Sequence, residues 1–357
     1  MKKSFKPIMI LLTDTHLNKD NIELNRSIFN QAADLAIKLN MKRIFHAGDI
    51  FDNRVNQTQR TLIAFKAILT DLWEKGIELH AIPGNHDKVD YESRDSYLSV
   101  YTEYPNFVLY ENGGVFEDDR NDVSIYMLPY FKEATVYPEE LNNIALEASQ
   151  DKDSSKKILI THIAANGVKN NDGTTVDYGI PPNAFKTFDK VFVGHYHNAQ
   201  EVGSNVVYIG STFPHNFGEN NNKGIVVVND DLSYEYADTD FPRYHKHIYK
   251  VGSDQGTIEK QLGRHDDQDH VRVEVVGSQE EVSAFDQSIF KDQGVDVKKK
   301  STAIETNISS VETSTFSAHT SSSIIAEFDV FCGDQGYSKA EIEIGKKYID
   351  CLRDVEA

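Results

Sequence analysis

Five short polar blocks each follow a strand-like apolar run: TDTH at Thr13–His16, GDIFD at Gly48–Asp52, GNHD at Gly84–Asp87, TH at Thr161–His162 and GHYH at Gly194–His197. Their side chains are carboxylates, imidazoles and one amide, the types that hold divalent cations or move protons. Asp14 and His16 stand two apart, as do His195 and His197. That spacing puts both members of a pair on one face of an extended backbone, so each pair can point at a common centre. Two such pairs make a binuclear metal site geometrically reasonable. The only cysteines, Cys332 and Cys351, lack any framework spacing, so neither a disulfide scaffold nor a thiolate site is indicated. Any metal must rest on His, Asp, Glu or Asn. Such donors suit Mn²⁺, Fe²⁺ or Zn²⁺, and the carboxylates leave Mg²⁺ open. If Asp14 and Asp49 are the only charged donors to two dications, positive potential is left over to attract a phosphate and acidify water. A neutral Asn85 preserves that potential. Singly, each block reads as turn chemistry or a satisfied core histidine; their order and repetition carry the metal reading. Eight histidines, His46, His80, His215, His245, His247, His265, His270 and His319, match no block and receive no role.

The blocks need rigid supports. Over the first 95 residues "PIMILLTD", "NRSIFNQAADLAIKL", "RIFHAG", "TQRTLIAFKAILTDLWEKG" and "IELHAIPG" alternate strand and helix spacing in βαβαβ order. From about 106 to 230 the pattern is strand-rich: "NFVLY", "VSIYML", "KKILIT", "KVFVG", "NVVYIG", "KGIVVV". A sheet-based α/β domain with functional loops at strand ends follows. Beyond Arg243, "HVRVEVVG", "SQEEVSAFDQSIFKDQ" and "VDVKKK" predict a small strand–helix–strand unit. Residues 301–323 hold 13 Ser or Thr and read as a linker. The tail regains helical spacing, with a Ser338/Glu341 capping-box signature and an apolar stripe through Ile342, Tyr348, Ile349, Leu352 and Val355. That stripe docks either on its own domain or on a partner.

A net charge of −19 argues against coating nucleic acid by bulk attraction. The surplus is uneven, however: residues 1–100 carry 14 Lys or Arg against 13 Asp or Glu, so polyanionic substrates stay open. The start "MKKSFKPIMILLTDTH" has too short an apolar run for a signal-peptide core or a membrane span, and reads as the first strand of a cytoplasmic protein.

The ordered set D-x-H, G-D-x-x-D, G-N-H-D, T-H and G-H-x-H resembles the calcineurin-like metallophosphoesterase superfamily over roughly residues 7–230. The resemblance implies an α/β fold: a β-sandwich flanked by helices in four αββα layers, plus a small α+β capping domain and C-terminal helices. It implies one metal on Asp14, His16, Asp49 and His197, and a second on Asp49, Asn85, His162 and His195, with Asp49 bridging. His86 would be the catalytic histidine that contacts the phosphate and protonates the leaving oxygen, with the Asp52 carboxylate as its partner. "LLTDTHL", "HAGDIFDNR", "IPGNHD" and "YIGSTFPHNFGE" further resemble the SbcD-type nuclease subunits. These imply a nuclease domain over 1–242, a capping domain over 243–300, the linker over 301–323 and a partner-binding helical segment over 324–357. They also imply two divalent ions, Mn²⁺ first; a DNA substrate cut by exo- or endonucleolytic hydrolysis; an SbcC-type coiled-coil ATPase partner in double-strand-break repair or recombination; a homodimer; and no membrane. The compartment would be cytoplasm, that of the host if phage-encoded. Asp52 stands where archaeal and eukaryotic relatives often carry histidine, which agrees with the bacterial and phage branch. The competing readings are a small-molecule metal-dependent phosphodiesterase or phosphatase, and a non-catalytic scaffold that binds an ATPase through its tail.

Overall fold

Along "PIMILL" successive side chains take opposite faces, and both faces are buried: Met9 and Leu11 on one side, Ile10 and Leu12 on the other. A strand with two apolar faces must lie inside a layered structure. The computed structural model describes residues 5–90, 94–132, 135–152, 154–170, 173–291 and 294–301. Its elements run β1 (Pro7–Leu12), α1 (Ile22–Lys38), β2 (Arg43–His46), α2 (Gln59–Glu74), β3 (Glu78–Ala81), β4 (Phe107–Leu109), β5 (Gly114–Asp118), β6 (Val123–Leu128), α3 (Val136–Gln150), β7 (Lys156–His162), β8 (Lys190–Gly194), β9 (Gln200–Val202), β10 (Val206–Tyr208), β11 (Val226–Asn229) and β12 (Tyr234–Tyr236).

They form two six-stranded mixed sheets, ordered β12-β11-β1-β2-β3-β4 and β5-β6-β7-β8-β10-β9. In the first, β1 to β4 are parallel. In the second, β6, β7, β8 and β10 are parallel. Met9, Leu11, Phe45 and Val226 of the first sheet meet Ile125, Ile158, Phe192 and Val207 of the second in one buried cluster. The outer face of the first sheet packs Ile10, Leu12 and Leu79 against Phe29 and Ala32 of α1 and Phe65 and Leu69 of α2. The outer face of the second packs Tyr126, Leu159 and Val191 against Leu141 and Ile144 of α3. The layers are therefore αββα. Thr58 caps α2 by accepting from the Thr61 amide at 3.2 Å. Arg26 of α1 grips Asp71 of α2 through Nε and Nη2 at 2.6 and 2.9 Å.

The strand-rich expectation for 106–230 passed over α3, whose Tyr137, Leu141, Ile144 and Ala148 bury one helical face. The small unit also holds more than strand, helix, strand. β13 (Tyr244–Lys250), α4 (Gln255–Leu262), β14 (His270–Gly277), α5 (Gln279–Ala284), α6 (Ser288–Lys291) and β15 (Asp296–Ser301) make an all-parallel three-stranded sheet with crossover helices, so it is α/β in kind, not α+β. Its core is Tyr249, Ile258, Val273, Val275 and Phe290. The linker beyond Ser301 and the segment 324–357 lie outside the described residues. Among the described residues no helix is long and apolar enough to cross a membrane.

β1, β2 and β3 of one sheet and β7 and β8 of the other all end at the same edge of the sandwich. The five polar blocks of the sequence are the residues that follow or close those five ends. This is where a parallel sheet offers its loops to a ligand.

Candidate metal centre

Strand ends alone do not aim side chains inward; local backbone does. Asp14, His16, Asp49 and His195 all have positive φ, 49°, 42°, 56° and 92°. For residues with a Cβ this conformation costs about 1–3 kcal/mol each and survives only where surrounding contacts enforce it. Gly48 and Gly84 allow the loops to close. A Cβ on Gly48 (φ +96°) would stand 2.7 Å from His162 Nδ1, and one on Gly84 would overlap Asp49. Asp87 then pins the two loops together: its buried carboxylate accepts from the amides of Gly84 at 2.9 Å, Ile50 at 3.2 Å and Phe51 at 2.8 Å.

The result is two groups of donor atoms that share Asp49. In the first, Asn85 Oδ1 lies 3.0 Å from His162 Nε2 and 2.8 Å from His195 Nδ1, and Asp49 Oδ2 lies 3.3 Å from His162 Nε2. In the second, His16 Nε2 lies 3.1 Å from His197 Nε2 and 3.8 Å from both Asp14 Oδ1 and Asp49 Oδ2. His197 Nε2 is also 3.8 Å from Asp14 Oδ1. Donors on one cation with bonds of about 2.0–2.2 Å stand roughly 3–3.6 Å apart, so both groups are close to that spacing.

The donor chemistry also fits a cation. His162 Nδ1 faces the Ala47 carbonyl at 2.8 Å and so carries a proton. Its Nε2 faces the oxygens of Asn85 and Asp49, so either a proton on Nε2 or a cation between the atoms balances them. Burial opposes charge on His162, yet Asp49, then Asp14, outweigh it and hold the imidazolium up to about 9. Burial would raise Asp49, but His162 and then His16 keep it well below the carboxylate range. Burial dominates at Asp14, which is raised, and at His16 and His195, which are lowered, His195 to about 3. His16 Nδ1 is buried with no hydrogen-bond partner.

Above these groups opens a cleft of about 930 Å³ lined by Asp52, Arg54, Arg60 and His86, with Tyr244 and His270 of the small sheet on its wall. His86 Nε2 faces it, 4.0 Å from Asp49 Oδ2 and 3.1 Å from Arg54 Nη2. Its Nδ1 bonds the backbone carbonyl of Asp52, not the carboxylate the sequence pointed to. That carboxylate turns instead toward His16 Nδ1 at 3.6 Å and Asn18 Nδ2 at 3.3 Å.

The calcineurin-like phosphoesterase family profile matches residues 9–199, more than half of the chain. The chain belongs to the calcineurin-like phosphoesterases. Among curated relatives of this phosphoesterase, exonuclease subunit 1 of Enterobacteria phage T4 is 30% identical over 218 residues, which is 59% of this chain and 60% of the relative. The DNA double-strand break repair protein Mre11 of Saccharolobus solfataricus is 30% identical over 216 residues, 56% of this chain and 53% of the relative. The Sulfurisphaera tokodaii protein of the same name is 27% identical over 207 residues, 54% and 49%. The matches thus span about half to three fifths of these relatives. Proteins of the family use two divalent metals.

Three groups beside the phosphoesterase centre were not assigned from sequence. His215, given no role there, packs its ring 5.0 Å from His16 and 5.1 Å from His197 and bonds the Asp14 carbonyl through Nε2 at 2.8 Å. Glu219 accepts from His197 Nδ1 at 2.9 Å, and Lys223 donates to Glu219 at 2.8 Å. Glu219 therefore fixes the His197 tautomer that leaves Nε2 facing the centre. The only sequence signal was the motif "YIGSTFPHNFGE", which contains both His215 and Glu219.

Proposed function

We propose that the chain is the nuclease subunit of an SbcCD-type double-strand-break repair or recombination complex, hydrolysing phosphodiester bonds of DNA. One observation carries the reading: two oxygen–nitrogen donor groups share Asp49 on the floor of a cleft whose rim holds His86 and Arg54. Asp14, His16, Asp49 and His197 would hold one divalent ion and Asp49, Asn85, His162 and His195 the other, Mn²⁺ being the first candidate. Such ions supply Lewis-acid stabilisation of phosphoryl charge and an activated water. The relatives' names, an exonuclease subunit and a double-strand break repair protein, support DNA as the substrate class.

The chain's own residues do the rest. Arg54 lends its guanidinium to the His86 ring at 3.1 Å. An entering phosphate is a better acceptor, because charge-assisted pairing to an anion is the stronger bond. Arg54 then orients the phosphate and releases His86 Nε2 toward the cleft. Freed from Arg54, His86 Nε2 takes up a proton from solvent. Water then adds to phosphorus, its own proton passing to solvent, as the P–O bond to the departing sugar breaks, and Nε2 gives the departing oxygen the proton it took up. The Asp52 carbonyl keeps the ring turned for this transfer by accepting from Nδ1.

We also propose a homodimer through the nuclease domain and an ATPase partner bound through 324–357. The dimer reading is supported by Ile63 and Val100, 66% and 68% exposed, on neighbouring segments joined by the Tyr101 hydroxyl to the Leu62 carbonyl. The deciding assay sets linear duplex DNA, hairpin DNA and bis(p-nitrophenyl) phosphate side by side with Mn²⁺. Cleavage of the small ester alone would favour the small-molecule phosphodiesterase reading, toward which the net charge of −19 leans.

A further inference from the structure

On β13 the residues that face the helices of the small sheet are His245, His247 and Tyr249, alternating with the exposed Lys246 and Ile248. Tyr249 joins the apolar core with Val273 and Val275. His245 and His247 continue the same face in register beside Val271 and Val273, where more apolar residues would be ordinary. Instead, His265 from the loop after α4 and Asp269 just before β14 close over them. His247 Nε2 lies 2.7 Å from His265 Nε2, and His245 Nε2 lies 3.0 Å from Asp269 Oδ2. The His245 and His265 rings stack with centroids 3.9 Å apart at 22°. One donor atom each from His245, His265 and Asp269 falls within 4.8 Å of the others.

We propose that His245, His247, His265 and Asp269 form a second metal site, of the structural zinc type, separate from the phosphoesterase centre. Three imidazoles and one carboxylate are a zinc donor set, and four protein donors close the coordination shell. With bonds of about 2.0–2.1 Å a tetrahedron has edges of about 3.3 Å. The His247–His265 and His245–Asp269 pairs reach that by opening roughly half an ångström, while His247, outside the group whose donor atoms already stand within 4.8 Å of one another, must turn its ring in toward His245 and Asp269.

The site has an outer support of the kind that fixes metal ligands. Asp269 Oδ1 accepts from the Arg243 amide at 2.7 Å, which leaves Oδ2 for the cation. It also sits directly behind the cleft wall. Tyr244 and His270, whose rings pack 4.4 Å apart and line the cleft, are the chain neighbours of His245 and Asp269. A bound zinc would lock the loop 263–269 to β13 and hold that wall in place.

The test uses the full chain with Asp14→Ala and Asp49→Ala, which removes both carboxylates of the main centre. After EDTA treatment and reconstitution with Zn²⁺ alone, this variant is expected to retain one zinc per chain after gel filtration. It is also expected to bind Co²⁺ with the visible absorption of a four-coordinate site. Adding His247→Ala and His265→Ala should remove both signals. If circular dichroism shows that the alanine pair unfolds, His247→Gln with His265→Gln gives the same reading. No retained zinc in the Asp14→Ala/Asp49→Ala chain, or zinc that survives replacement of His247 and His265 in the folded chain, overturns the proposal.

Discussion

Glu219→Gln removes one charge from a buried ion pair while keeping the side chain's shape. Glu219 is buried and receives His197 Nδ1 at 2.9 Å, Lys223 Nζ at 2.8 Å, Asn216 Nδ2 at 3.0 Å and Ser211 Oγ at 3.1 Å. Burial by itself pushes its carboxyl up; the His197 hydrogen bond, then Lys223, outweigh burial and hold it down at about 2. A depressed carboxylate contributes stability that is full above its unfolded value of 4.5 and is lost as pH falls toward 2. At 1.36 kcal/mol per unit the span is about 3 kcal/mol. Breaking one side of a buried pair gives a similar figure, roughly 3–5 kcal/mol, because Lys223 is left charged inside. Urea unfolding at neutral pH in EDTA should therefore show Glu219→Gln less stable by about 3 kcal/mol, with a flattened acid limb. Glu219→Gln with Lys223→Met leaves no stranded charge and should recover part of that loss. Metal affinity should not recover, because His197 keeps a poorer orienting partner; a loss of about 10–100-fold is expected in both variants by competitive titration. A Glu219→Gln chain within about 1 kcal/mol of the parent, or one with unchanged metal affinity, refutes the reasoning.

Further outcomes follow from the same geometry. His86→Ala is expected to retain both metal equivalents and lose DNA cleavage by about 10²–10⁴-fold in single-turnover assays, the usual contribution of a proton donor; undiminished cleavage removes the role. Asp87→Ala strands the buried amides of Gly84, Ile50 and Phe51, so urea unfolding should register a loss of about 3 kcal/mol or more. Burial, partly offset by Glu78, holds His80 down at about 4. Its stability contribution is therefore full above its usual 6.5 and falls away as pH drops from 6.5 to 4. His80→Phe should flatten unfolding free energy across that window, and an unchanged slope would exclude His80 as its source.

The polar blocks were legible because each ends an apolar run, and strand periodicity fixes where a run stops even when its sheet neighbours are unknown. α1 and α2 were legible for a similar reason: their buried faces repeat at helical spacing. His215 and Glu219 were not, since they lie in the irregular segment between β10 and β11, where their partners are set only by tertiary contact. The His86 partner could not be foreseen in detail, because sequence does not say whether Asp52 offers its carboxylate or its carbonyl. β13 was passed over for another reason. The string "YHKHIYK" has almost no apolar alternation, and His245 and His247 occupy the places where apolar residues would have announced a strand.

Asp49 is the one side chain common to both donor groups, so metal counting on the full chain tests the central claim most directly. The parent chain equilibrated with Mn²⁺ should hold two ions and cleave duplex DNA, while Asp49→Ala, folded by circular dichroism, should hold neither ion tightly and cleave nothing. An Asp49→Ala chain that keeps two ions, or a parent that never binds more than one while cleaving DNA, would contradict the two-metal account.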